Sequence, residues 1–148
     1  MIFCLSIMAY AQTPQDRATE LKKQAQSSLN QKDYIKARYL FKKAYEAFAS
    51  RENYPQAIEC GVQANALYVR ENFYKEGFEL CRDMEQLLWT GEQNKKKVFY
   101  DLRFLINKER LQMYTALKNP AQAKIQLDKL EEMANLAKND SLTEVLLY

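Results

Sequence analysis

Apolar residues recur along most of this chain at helical spacing, and the clearest run is Asp33 to Phe48. Tyr34, Ala37, Phe41 and Ala44 fall three or four residues apart, while Lys36, Arg38, Lys42, Lys43 and Glu46 lie largely off that line. At 3.6 residues per turn the apolar positions make one buried stripe. Asp33 just before the stripe suits an N-cap, and small Ala37 between larger neighbours suits close approach of another helix. The stripe returns 40 residues later as Tyr74, Gly77, Cys81, Met84 and Leu88, and after a further 46 as Ala123, Leu127 and Leu130.

Between these runs the punctuation predicts further helices. Thr13-Pro14 opens a first helix, with Pro at a position where its missing N–H costs nothing, and Ala18, Leu21, Ala25, Ser28 and Leu29 form a thin buried face. This helix is expected to reach about Gln31, and the second about Arg51. Pro55 begins a third, whose main face is Ala57, Ile58, Gly61, Ala64, Asn65 and Tyr68, with a second stripe of Val62, Ala66 and Val69. Asn72 is expected to cap the fourth. Thr90-Gly91-Glu92-Gln93 has the form of a capping box and predicts a fifth helix from there to about Leu117. Asn119-Pro120 starts a sixth, and Asp140 is expected to open a seventh that is cut off at Tyr148.

The hairpin built on Tyr34, Ala37, Phe41 and Ala44 resembles a tetratricopeptide repeat, and the resemblance extends over residues 13–140. The chain departs from that pattern where Leu21, Gly61 and Asn107 take the place of the early aromatic, and its spacings of 40 and 46 exceed the family's. The fold expected is all-α, an antiparallel helix-hairpin solenoid of six to seven helices spanning residues 12–148. In such arrays no unit buries its apolar face alone, so units stack, and the first helices line a concave groove. The resemblance implies a groove for extended peptides or partner helices. The residues it assigns there are Lys22 and Gln26 in the first unit, Val62, Gln63, Ala66, Val69 and Arg70 in the second, and Lys108 and Gln112 in the third. Their apolar middle favours a partner with an apolar centre and acidic or polar flanks rather than a clamped carboxylate. Val62, Ala66 and Val69 could equally pack on the neighbouring unit.

Composition narrows the function. The 148 residues include three Gly and three Pro, a scarcity that suits helices, and no His at all. The missing imidazole removes the commonest general base and zinc ligand, so the chain is read as a non-enzymatic scaffold with no cofactor and no metal. The net charge of +3 is spread over mixed signs and does not give the concentrated positive field of a nucleic-acid domain. Lys95, Lys96 and Lys97, beside Tyr100 and Arg103, form the one dense basic run. It could meet phosphates or an acidic partner, but also suits a solvated helix start.

Residues 1–11, MIFCLSIMAYA, are uncharged and end in Ala-Tyr-Ala, as a truncated signal peptide would, with Gln12 first in the exported protein. Export would make the chain periplasmic, and an exported array of this kind resembles the sensory part of bacterial membrane-anchored signalling proteins. Any membrane attachment then lies in segments outside this chain. The alternatives are a cytoplasmic peptide-binding regulatory domain and a nucleic-acid binder using the Lys95 region. Cys60 and Cys81 are expected to remain free thiols, because Cys60 adjoins a more exposed stretch while Cys81 lies on the buried stripe.

Overall fold

The computed structural model describes residues 13–146 as six helices and, among those residues, no strand. They are α1 (Pro14–Asn30), α2 (Tyr34–Ser50), α3 (Tyr54–Arg70), α4 (Tyr74–Lys95), α5 (Tyr100–Ala116) and α6 (Pro120–Leu146). Consecutive helices pack against each other, and α3 also packs against α5. The result is an all-α helical repeat. The residues read as a signal peptide and the last two of the chain lie outside those described.

The repeat is enforced by its turns. The first three helices are 17 residues each, followed by three-residue connections, so helix and turn recur every 20 residues up to α4. In each of these turns the middle residue, Lys32, Glu52 or Asn72, sits in the left-handed region at φ 61°, 57° and 62°. The residue after it donates its N–H five residues back, from Asp33 to Ser28 at 2.9 Å, Asn53 to Phe48 at 3.1 Å and Phe73 to Tyr68 at 2.9 Å. This Schellman arrangement satisfies carbonyls that the helix end would orphan. The donating residue also caps the next helix: Asp33 Oδ1 accepts from Lys36 N at 3.2 Å and Asn53 Oδ1 from Gln56 N at 3.4 Å. The turn at Lys118 (φ 54°) repeats the device, with Asn119 as cap of α6.

Three boundaries differ from those expected. Asn72 does not cap α4; it is the left-handed turn residue, and Phe73 takes the cap position without a side-chain hydrogen bond. Thr90 opens no helix. Its hydroxyl donates back to Gln86 O at 3.0 Å, as a threonine inside a helix does, and α4 runs on to Lys95. Nor does Asp140 start a seventh helix, since α6 continues through it to Leu146. Among the described residues there are six helices.

The extension of α4 is held by two contacts. Gly91 lies against the ring of buried Tyr54, where a Cβ would come within 2.5 Å of the ring, and Phe99 covers the same tyrosine at 5.6 Å between centroids. Glu92, 7% exposed, accepts from the Phe99 N–H at 2.9 Å and from Arg103 Nε at 2.9 Å. Burial alone would push the Glu92 carboxyl up, but the Arg103 hydrogen bonds, the Phe99 N–H and the guanidinium charge outweigh it and hold its pKa low. The apparent cap is thus a helix segment whose glycine makes room for an aromatic ring and whose glutamate ties down the next turn.

The core follows the repeated stripe. Ala37, Phe41 and Ala44 are buried, as are Gly77, Cys81, Met84 and Leu88. Gly77 has no room for a side chain, since a Cβ there would stand 2.7 Å from Met113 Sδ. In the third unit Leu127, the counterpart of Phe41 and Cys81, is 54% exposed, because α6 lies chiefly on α5 alone. Cys60 and Cys81 are both buried and free. Burial pushes each thiol up to about 12, against a partial lowering by Lys22 at Cys60 and by Arg110 at Cys81.

Candidate functional site

Of the first helices of the three hairpins, α3 packs against α5, and α1 reaches α3 through a side chain. Lys22 Nζ on α1 reaches Gln56 Oε1 at 2.7 Å and Glu59 Oε1 at 3.0 Å on α3. Farther along α3, Asn65 donates from Nδ2 to Glu109 Oε2 on α5 at 3.0 Å. These ties, with the packing of α3 on α5, set α1, α3 and α5 in one row.

Exposed on that row are Gln26, then Gln63, Ala66 and Arg70, then Lys108 and Gln112. On α3, Glu59, Gln63, Ala66 and Arg70 are spaced four, three and four residues apart, so they form a single solvent-facing line opposite the buried Ala57, Ile58, Gly61, Ala64 and Asn65. Lys22 is half-buried and already paired. Val62 and Val69 are half-buried and pack against the core, leaving only the Ala66 methyl fully outward between them. Gln26 Nε2 donates to Asn30 Oδ1 at 3.1 Å along its own helix. Arg70 lies over the Tyr34 ring, 3.9 Å from its centroid, so its charge is held at the α2 edge of the row.

Under this surface sits an unusual polar pair. Asn65 is fully buried and Glu109 is 5% exposed. Burial pushes the Glu109 carboxyl up, and the Asn65 hydrogen bond and the Lys108 charge offset this only in part. Asn65 Oδ1 accepts no hydrogen bond from the described residues. The pair ties α3 to α5, because displacing either group would break the hydrogen bond it makes in a buried setting. Neither residue was singled out as a partner of the other by sequence spacing, since they are 44 positions apart.

The basic run is placed otherwise than at a helix start. Lys95 ends α4, Lys96 is its left-handed cap at φ 51°, and Lys97 follows in the turn. Arg103 is engaged with Glu92. The fold brings Trp89 and Met133 to the same place, and neither was named by the sequence reading; the available signal was the lengthening of the repeat from 40 to 46 residues at this point. Among the described residues there is no cluster of three or more Cys, Asp or Glu able to hold a metal ion, and no helix long and apolar enough to cross a membrane. No family model, no curated protein and no solved structure matches the chain.

Proposed function

We propose that this protein is a non-enzymatic interaction scaffold of the tetratricopeptide type, which binds a protein or peptide partner across the row formed by α1, α3 and α5. The observation that carries the reading is the alignment of that row: exposed Gln26, Gln63, Ala66, Lys108 and Gln112 come from three successive first helices joined by Lys22–Glu59 and Asn65–Glu109. Amides spaced along parallel helices suit main-chain hydrogen bonding to an extended segment, and the Ala66 methyl between half-buried valines admits a small apolar side chain. Lys108 and Arg70 favour acidic flanks on that segment. In the fuller form of the proposal the chain is exported after Ala11 and serves as the ligand-binding part of a larger signalling protein.

The test is affinity capture with the whole chain from cells of its source. Ala66→Arg with Gln112→Glu places bulk and a new charge at two exposed positions of the row, where substitutions usually stay within about 0.5 kcal/mol. A partner bound by the wild type should be lost by this variant and kept by Lys42→Glu, which alters the exposed side of α2. Equal retention by both variants would overturn the assignment of the row.

A further inference from the structure

The six residues by which the second repeat exceeds the first are not spread through it. All fall at the end of α4 and in its turn, which has four residues where the other connections have three. Extra residues in a repeat collect on one face, and that face is commonly the one used for binding. Here they carry α4 past the end of its hairpin, and α6, 27 residues long, runs far enough to bring Met133 opposite. Between them is an open cleft of about 490 Å³, within the size range of ligand sites.

Its lining mixes apolar, polar and charged side chains. Trp89, the sole tryptophan of the chain, is 55% exposed there, and Val98 is 41% exposed. Tyr100 and Met133 complete the apolar lining. Lys96, Lys97 and Arg103 also line the cleft; Arg103 is paired with Glu92 and lies within the field of Glu85, and exposed Lys96 stands at the edge. Lysines at the end of a helix need no ligand to explain them, since they complement its dipole. Trp89 supplies the largest aromatic face of the cleft, about half of it in solvent.

The cleft is also built rather than incidental. Glu92 uses its carboxylate on the Phe99 N–H and on Arg103 Nε and Nη2, which fixes the turn and directs the guanidinium face. Arg103 retains its Nη1 hydrogens for another acceptor. Gly91 against Tyr54 locks the same segment to α3. Trp, Tyr and Arg set in a rigid frame are the side chains that carry most binding energy where proteins meet.

From this we infer that the α4–α5–α6 cleft is a second docking site, separate from the row of first helices, which takes an acidic peptide segment bearing one aromatic or aliphatic anchor. The anchor enters between Trp89, Val98 and Met133, and acidic residues on either side meet Lys96 and Arg103. Trp89 makes the event observable, because its emission reports this cleft and no other place in the described residues.

The experiment is selection from a random displayed-peptide library on the whole chain, followed by titration of the selected peptides against tryptophan emission. Selected peptides should share Asp or Glu around one apolar residue, shift Trp89 emission to the blue with saturation, and weaken tenfold or more when Lys96→Glu is combined with Gln93→Glu. Both substituted residues are exposed, and unchanged circular dichroism and thermal midpoint would show that the variant is folded. Peptides that leave Trp89 emission unchanged, or that bind the variant equally, would overturn the inference. So would a single-stranded oligonucleotide that shifts the same emission more tightly than any selected peptide.

Discussion

Replacing Gly91 by Ala tests whether α4 continues through the apparent cap with its backbone against Tyr54. In a helix interior this change alone favours the fold by roughly 0.8–1 kcal/mol. Here a Cβ would lie 2.5 Å from Tyr54 Cζ and 2.8 Å from both Cε atoms, about 1 Å inside the ordinary contact of roughly 3.5–4 Å. The ring has little room to retreat, being 3% exposed and covered by Phe99. Overpacking of this kind costs roughly 1–3 kcal/mol, so the net effect expected is a loss of about 1 kcal/mol. For a chain of this size that lowers the thermal midpoint by about 2–4 °C. Urea unfolding followed by far-UV circular dichroism gives the number, and the same substitution in Tyr54→Ala supplies the control. With the ring gone only the helix preference remains, and Gly91→Ala should then stabilise by about 1 kcal/mol. Stabilisation in both backgrounds would refute the contact.

Glu52→Gly should raise stability by about 0.5–1 kcal/mol in the same assay, because the left-handed turn burdens an L-residue by about 1–2 kcal/mol and glycine returns part of that gain to the unfolded chain; destabilisation would contradict the turn geometry. Glu109 has its pKa raised in the fold, so its contribution is complete below the ordinary carboxylate range and is lost as pH rises through the folded value. Glu109→Gln, which keeps an acceptor for Asn65, should therefore gain on the wild type between mildly acidic and neutral pH, and parallel stability curves would reject this. Cys60 and Cys81 should resist a thiol reagent in the native protein and both react on denaturation without reductant, as peptide mass analysis would record; reaction of either in the folded state would show that it is not buried.

The stripe of Tyr34, Ala37, Phe41 and Ala44, and its return at Gly77 and Cys81, were legible because burial on a helix writes a period into the chain. The caps Thr13, Asp33 and Asn119 were legible for the same local reason, as their side chains serve an N–H three residues on. Turns were harder, since Lys32, Glu52 and Lys118 occupy positions where glycine is the usual marker. Thr90-Gly91 misled because a glycine within a helix and a glycine at its boundary look alike until Tyr54, 37 positions earlier, is set against it. Asp140 resembled a cap, yet α6 has no competing turn there and simply continues. On α3, Gln63, Ala66 and Arg70 are exposed at helical spacing, whereas the half-burial of Val62 and Val69 depends on neighbours that only the stack supplies. The cleft was least legible: Met133 meets Trp89 across 44 positions with no local signal joining them.

The proposed function requires a partner lying along the first helices. Site-specific photo-crosslinking in cells of the source tests it most directly, with a photoreactive phenylalanine placed singly at Gln63, Ala66 or Gln112 on the row, and at Lys42 or Arg82 on the exposed sides of α2 and α4. One common higher-mass adduct is expected from the three row positions and none from the other two. The same adduct from Lys42 and Arg82, with none from the row, would contradict it.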